Sequence, residues 1–257
     1  MVNVAPSLSH VADRAARFFD YNAPRMVEIH DDVISEFRKI GRVLAVGGVI
    51  RDLAFYGAKE RPISDIDFVV TGRPRKLELF ANRLGAKPNR FGGFALQRGG
   101  YRVDFWSLSN TWARVNHHVM VNKPKDLTKT TFFDWDAIAY DVIENEIFAI
   151  SNYIDRLNRR VLDINLEMTP SVKGNLVRSL RRLVMWDAKP GRKLSLFIKH
   201  NLREFEWTDL ILAERDAFHI RFLDQFNSAS DFQMKVMYRS TKYTTGLDES
   251  RQISFKF

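Results

Sequence analysis

Apolar residues recur at helical spacing through MVEIHDDVISEFRKI, where Met26, Ile29, Val33, Ile34 and Phe37 fall on one stripe and Gly41 follows as a C-cap. The pattern then shortens. VLAVGG reads as a buried strand running into a glycine turn at Gly47-Gly48, and VIRDLAFYG reads as a helix from that turn to Gly57. After a loop, AKERPIS, the run DIDFVV is the next strand. Residues 75–84 are expected to be helical. FALQRGGYRVDFWSL reads as two strands joined by Gly99-Gly100, a two-residue hairpin signal. FFDWDAIAYDVI, residues 132–143, fits a buried helix with Asp134, Asp136 and Asp141 interleaved, and IFAI and RVLDI are short strands.

From about residue 171 the period is mostly helical, through GNLVRSLRRLVMWD, LSLFIKHNLREF and DLILAERDAFHIRFLDQF, with a weakly specified tail, TGLDESRQISFKF. A mixed front followed by a helical back predicts an α+β fold: a head over residues 1–150 and a mostly helical, basic domain over 151–257.

Composition narrows the picture. With 45% hydrophobic residues and 20 Phe, 5 Trp and 7 Tyr, the 257-residue chain can bury a real core and does not resemble a disordered one. The absence of cysteine removes disulfides and thiolate metal sites. The first twenty residues lack a signal-peptide core, and no stretch approaches the roughly 18 apolar residues of a membrane span. A soluble, cytoplasmic protein with no membrane partner is expected. The net charge is +9, and residues 151–200 hold 11 Lys/Arg against 4 Asp/Glu. Such a block suits nucleic-acid phosphates, or else an ordinary solvated helix face.

The candidate chemistry lies in the front half. On a strand Asp65 and Asp67 share a face, and two carboxylates so close raise each other's cost of ionising. A divalent cation relieves that cost, and oxygen ligands suit Mg²⁺. A bare D-x-D is usually a solvated strand end, but Ile66, Phe68, Val69 and Val70 make this a core strand. Alternation along YRVDFW puts Arg102, Asp104 and Trp106 on one face, so Asp104 offers a third carboxylate to a two-metal site. Gly47 and Gly48, between strand and helix, allow backbone N–H groups to approach phosphate.

VGGVIRDLAFYG followed by SDIDFVVTG resembles the signature of the tRNA nucleotidyltransferase (CCA-adding) and bacterial poly(A) polymerase head, within the DNA polymerase β-like superfamily. The resemblance implies a polymerase β-like head in which Gly47 and Gly48 contact the triphosphate. It matches Arg51 and Asp52 to the family's nucleotide-site Arg-Asp pair, and Asp65 and Asp67, with Asp104, to its catalytic magnesium ligands. FFDWDAIAYD resembles a second motif, with Phe133, Ala137, Ala139, Tyr140 and Asp141 in agreement; Thr130, Thr131 and Phe132 replace its Arg-Arg-Asp, and Asp136 its Asn. VRSLRRLVMW resembles the nucleotide-reading helix, where Arg178 and Arg181 match but Gly174 and Asn175 replace an acidic pair.

The implied activity is transfer of a nucleoside monophosphate from an NTP to a hydroxyl, with release of pyrophosphate and an RNA 3′ end, tRNA first, as acceptor. Arg182, Lys189, Arg192 and Lys193 are the candidate RNA contacts. Two other readings stay open: a toxin- or defence-type transferase acting on a protein or small-molecule hydroxyl, and a non-catalytic head that binds RNA or nucleotide. His117 and His118, with no partner at metal spacing, are expected to be a plain loop or strand pair, and His200 and His219, on amphipathic helices, to be structural.

Overall fold

The computed structural model describes residues 3–57, 63, 65–89 and 91–238. Within them the chain forms two compact units, Met1–Pro170 and Ser171–Phe257. The loop AKERPIS, apart from residue 63, and the tail TGLDESRQISFKF lie outside the described residues.

The first unit is built on a seven-stranded sheet. Its strands are β1 (Val43–Val46), β2 (Asp65–Val70), β3 (Lys87–Pro88), β4 (Phe94–Arg98), β5 (Tyr101–Ser107), β6 (Ile138–Asp141) and β7 (Glu146–Ala149). They are ordered β3-β4-β5-β2-β1-β6-β7. β2 and β5 run parallel, and the other neighbours are antiparallel. Alternation divides the side chains between two faces. On one face Phe68, Phe105 and Tyr140 meet Phe19, Phe37 and Phe80, which stand on or just beyond helices of the N-terminal half. On the other, Leu44, Val46, Val69 and Ala139 pack beneath Leu108, Val121 and Leu127 of the segment that leaves β5.

The strands expected at 43–46, 65–70 and 94–107 are present, and so is the hairpin. Arg98 pairs with Tyr101, and Gly99 and Gly100 take φ of 56° and 76°. Gly99 could not be exchanged, because a Cβ there would sit 2.2 Å from the Arg25 carbonyl oxygen. The stripe is helical from Val27 to Ile40, with a π-wound turn at His30–Ile34. A further helix, Leu8–Phe18, is capped by the Ser7 hydroxyl and buries Val11 and Ala15.

The helix expected at 132–143 is corrected. Asp134–Asp136 is a single 3-10 turn, and Ile138–Asp141 is strand β6, buried at all four positions. A continuous apolar run does not separate a buried strand from a buried helix, and pairing to both β1 and β7 settles it here.

The unit boundary falls near residue 170 rather than 150. Tyr153–Asn158 forms a helix, and Arg156 bonds Asp134 at 2.7 Å. The Asp163 N–H also bonds Asp134, and Ile164 bridges to Phe133. These contacts tie residues 153–165 into the first unit.

In the second unit, helices Val172–Met185, Arg192–Glu204 and Trp207–Ala217 follow one another. The last stops short of the expected end, because the chain beyond it turns back. Glu214, fully buried, accepts from the N–H groups of Phe222 and Leu223 and from Arg181. No helix among the described residues is long and apolar enough to cross a membrane.

Candidate active site

β1 ends at Val46, opposite Asp67 on β2, and Asp67 in turn stands beside Asp104 on β5 in parallel register. Asp65, one pleat earlier on the same face, is exposed, whereas Asp67 and Asp104 are half-buried. These carboxylates continue the face that carries Val69, so they lie at the rim of the apolar cover over that face.

The chain leaves β1 through Gly47, whose φ of 64° and ψ of −123° favour a residue without Cβ, and enters the helix Gly48–Phe55. A Cβ on Gly47 would lie 4.0 Å from Asp67 Oδ2, so the turn and the carboxylate share one small space. The Gly47 N–H donates to the Ile138 carbonyl at 3.3 Å and its carbonyl accepts from Arg51 N–H at 3.0 Å, which ties the turn to β6 and to its own helix.

The electrostatics mark Asp67. Burial, then the negative charges of Asp104, Asp65 and Asp136, push its carboxyl up to about 7, against a smaller opposing pull from Arg102. Asp104 accepts from Arg102 Nε at 2.8 Å and from Asn89 Nδ2 at 3.3 Å. Among the described residues, no three acidic or histidine side chains are grouped tightly enough to hold a metal ion as they stand. Asp104 is turned to its cationic neighbour. The donor set nevertheless fits a hard divalent cation: oxygen ligands on adjoining strands, with one carboxyl that its neighbours' charge makes costly to ionise.

Arg51 is nine-tenths buried beside the turn. Its Nε donates to Asp52 at 2.9 Å and its Nη1 to Asp136, and these anions raise its pKa further. Below lie Tyr153, whose hydroxyl donates to the Trp135 carbonyl, and Asp134, whose carboxyl burial pushes up to about 6.

Of the residues singled out in the sequence, Asp65, Asp67, Asp104, Gly47, Gly48, Arg51 and Asp52 come together here. Two others belong with them. Arg102 stands on the face that alternation assigns it and bonds Asp104, and Asp136, the departure from the second motif, bonds Arg51. Spacing signals the first, at i−2 from Asp104; for the second, a charge where an uncharged residue was expected was the only signal.

In the second unit, Arg178, Lys189, Arg192 and Lys193 are exposed, and Arg182 lies 5.3 Å from the Trp186 ring centre. Arg181 differs from the nucleotide contact expected of it. It is buried, bonded to Glu214 and to the Ile220 carbonyl, with its guanidinium 3.9 Å and 4.9 Å from the ring centres of Phe218 and Phe222. An arginine held on that many sides is structural.

No protein-family model and no curated protein sequence matches the chain. Solved structures do. A tRNA nucleotidyltransferase complexed with a primer tRNA and an incoming ATP analogue is 21% identical, with a TM-score of 0.54 over 80% of this chain and 60% of that one. A CCA-adding enzyme of Thermotoga maritima complexed with tRNA is 17% identical, with a TM-score of 0.53 over 84% and 54%. A CCA-adding enzyme in complex with CTP is 18% identical, with a TM-score of 0.53 over 81% and 54%. The chain thus spans little more than half the length of these proteins. At this level of identity the likeness speaks for architecture, and the chain has the fold of the tRNA nucleotidyltransferases.

Proposed function

We propose that the protein is a nucleotidyltransferase that moves a nucleoside monophosphate from an NTP to the 3′-hydroxyl of an RNA, tRNA being the favoured acceptor, and releases pyrophosphate. The observation that carries this reading is the register of Asp67 beside Asp104, with the Gly47 turn against Asp67. A solvated strand end needs neither the second carboxylate nor the turn.

Asp65, Asp67 and Asp104 would hold Mg²⁺. Magnesium bound there would supply charge stabilisation to the phosphoryl oxygens and make the acceptor hydroxyl a better nucleophile. Arg102, bonded to Asp104, would hold that carboxylate beside Asp67. With the Gly47 N–H held by the Ile138 carbonyl, the N–H groups from Gly48 onward and the dipole of the helix they open bind the triphosphate, and Gly47 keeps the turn free of a side chain. Asp52 and Arg51 brace that helix. The exposed Arg178, Lys189, Arg192 and Lys193, with Arg182, are the basic surface for RNA phosphates.

Incubation with each α-labelled NTP, Mg²⁺ and tRNA tests the reading. Label is expected in RNA, and Asp67→Asn or Asp104→Asn should lower the rate at least about 100-fold, as loss of a group acting in the transition state does. Label in protein or in a small product would redirect the acceptor. No transfer with any NTP or acceptor would contradict the assignment.

A further inference from the structure

Among the described residues, Arg51 brings a guanidinium against the turn: its Nη2 lies 3.6 Å from where a Cβ on Gly48 would be. An arginine at that place is the obvious clamp for a phosphate, because its planar fork matches phosphate oxygens in pairs. The structure spends the fork otherwise. One edge is bonded to Asp52, the next residue on the same helix, and Nη1 to Asp136, 85 positions away on the 3-10 turn before β6. All three side chains are largely buried, at 10%, 18% and 15% exposure, so solvent screens these bonds little. Asp136 also lies near enough to Asp67 to add to the negative field there, which puts the clamp within reach of the site's charges.

We propose that Asp136 is a positioning residue that clamps Arg51 against Asp52 and so withholds the guanidinium from a bound triphosphate. The site then grips its nucleotide through the backbone of the turn and not through an arginine. The inference rests on the nucleotidyl-transfer reading for its ligand. Its physical content is narrower: the charge of Asp136 opposes triphosphate binding, and it does so through Arg51.

The test is a binding titration of the full chain with the four ribonucleoside triphosphates in EDTA, which isolates the protein's own contacts, carrying forward the one that binds tightest. Asp136→Asn keeps the shape and removes the charge. It is expected to tighten triphosphate binding about fivefold or more, as release of one arginine fork to make charge-assisted hydrogen bonds to phosphate should. Asp52→Asn, which loosens the clamp from its other side, is expected to act in the same direction and serves if the first variant does not fold. In Arg51→Gln combined with Asp136→Asn the gain from Asp136→Asn should vanish, because the group through which it acts is gone. A merely structural Asp136 would give a lower melting temperature with weaker or unchanged binding, and that result overturns the proposal. A parent chain that binds no triphosphate with or without Mg²⁺ contradicts the nucleotidyl-transfer reading itself, and the two failures are therefore distinguishable.

Discussion

At the scale of single residues, Asp67 is where structure and chemistry meet. Its carboxyl, ordinarily near 3.8, is held up to about 7 by burial and by three neighbouring anions. The sign of the consequence follows from proton linkage. Between those two values the folded chain keeps a proton that the unfolded chain has lost. The favourable contribution is therefore complete below about pH 4 and is lost as pH rises through 7. Asp67→Asn removes this dependence, so the variant should gain stability relative to the parent between pH 5 and pH 8, by on the order of 2 kcal/mol in denaturant titrations. Divalent cations should reverse the trend by replacing the proton. The stabilisation of the parent by Mg²⁺ is expected to be larger at pH 8 than at pH 6, and absent at both in Asp67→Asn. Equal stabilisation at the two pH values would show that Asp67 is not the group displaced. The sequence revealed this residue but not its environment. The D-x-D spacing fixes which face Asp65 and Asp67 share, whereas Asp104, Asp136 and Arg102 reach them only through the pairing of β2 with β5 and the path of residues 134–136. No local pattern encodes such long-range neighbours.

At the scale of elements, the helix Gly48–Phe55 carries the turn to its place and is held at both ends. At its N-terminus, Gly47 adopts a backbone conformation that L side chains rarely take. Gly47→Ala is expected to lower stability by about 1–3 kcal/mol and to impair triphosphate binding at the same time. At its C-terminus, Arg14 Nη1 donates to the carbonyls of Leu53 at 3.0 Å and Ala54 at 3.3 Å, and to Asn3 at 2.8 Å. Arg14→Ala should cost about 1–2 kcal/mol in thermal unfolding while leaving the residues of the turn unchanged.

Elements were legible where period and punctuation agreed. The strand run 65–70, the Gly99-Gly100 hairpin and the stripe at 26–40 each have one reading. Residues 132–143 have two, because Phe133, Trp135, Ala137, Ile138, Ala139 and Tyr140 are all buried and an element buried on every side shows no amphipathic period. The helix Leu8–Phe18 carries a weaker signal, with Val11 and Ala15 four apart behind a Ser7 cap.

At the scale of the whole molecule, charge is distributed by unit. The basic excess lies in 151–200, and it divides into two kinds of basic residue that sequence alone did not separate. Arg181 is internal: with Glu214 fully buried beneath it, Glu214→Gln should cost about 3–5 kcal/mol, since the substitution removes the countercharge of a buried guanidinium. Lys189, Arg192 and Lys193 are external. Replacing these three with Ala should weaken RNA binding across sequences and flatten its salt dependence by about two units of log–log slope, at roughly 0.7 per phosphate contact. An unchanged slope would mean that RNA is bound elsewhere.

The most direct test of the account is anomalous scattering from crystals grown with Mn²⁺ and a non-hydrolysable NTP analogue. Manganese peaks in contact with Asp67 and Asp104, with the triphosphate lying against Gly47 and Gly48, are the predicted result. Triphosphate bound away from that turn, or no peak beside those two carboxylates at saturating Mn²⁺, would contradict it.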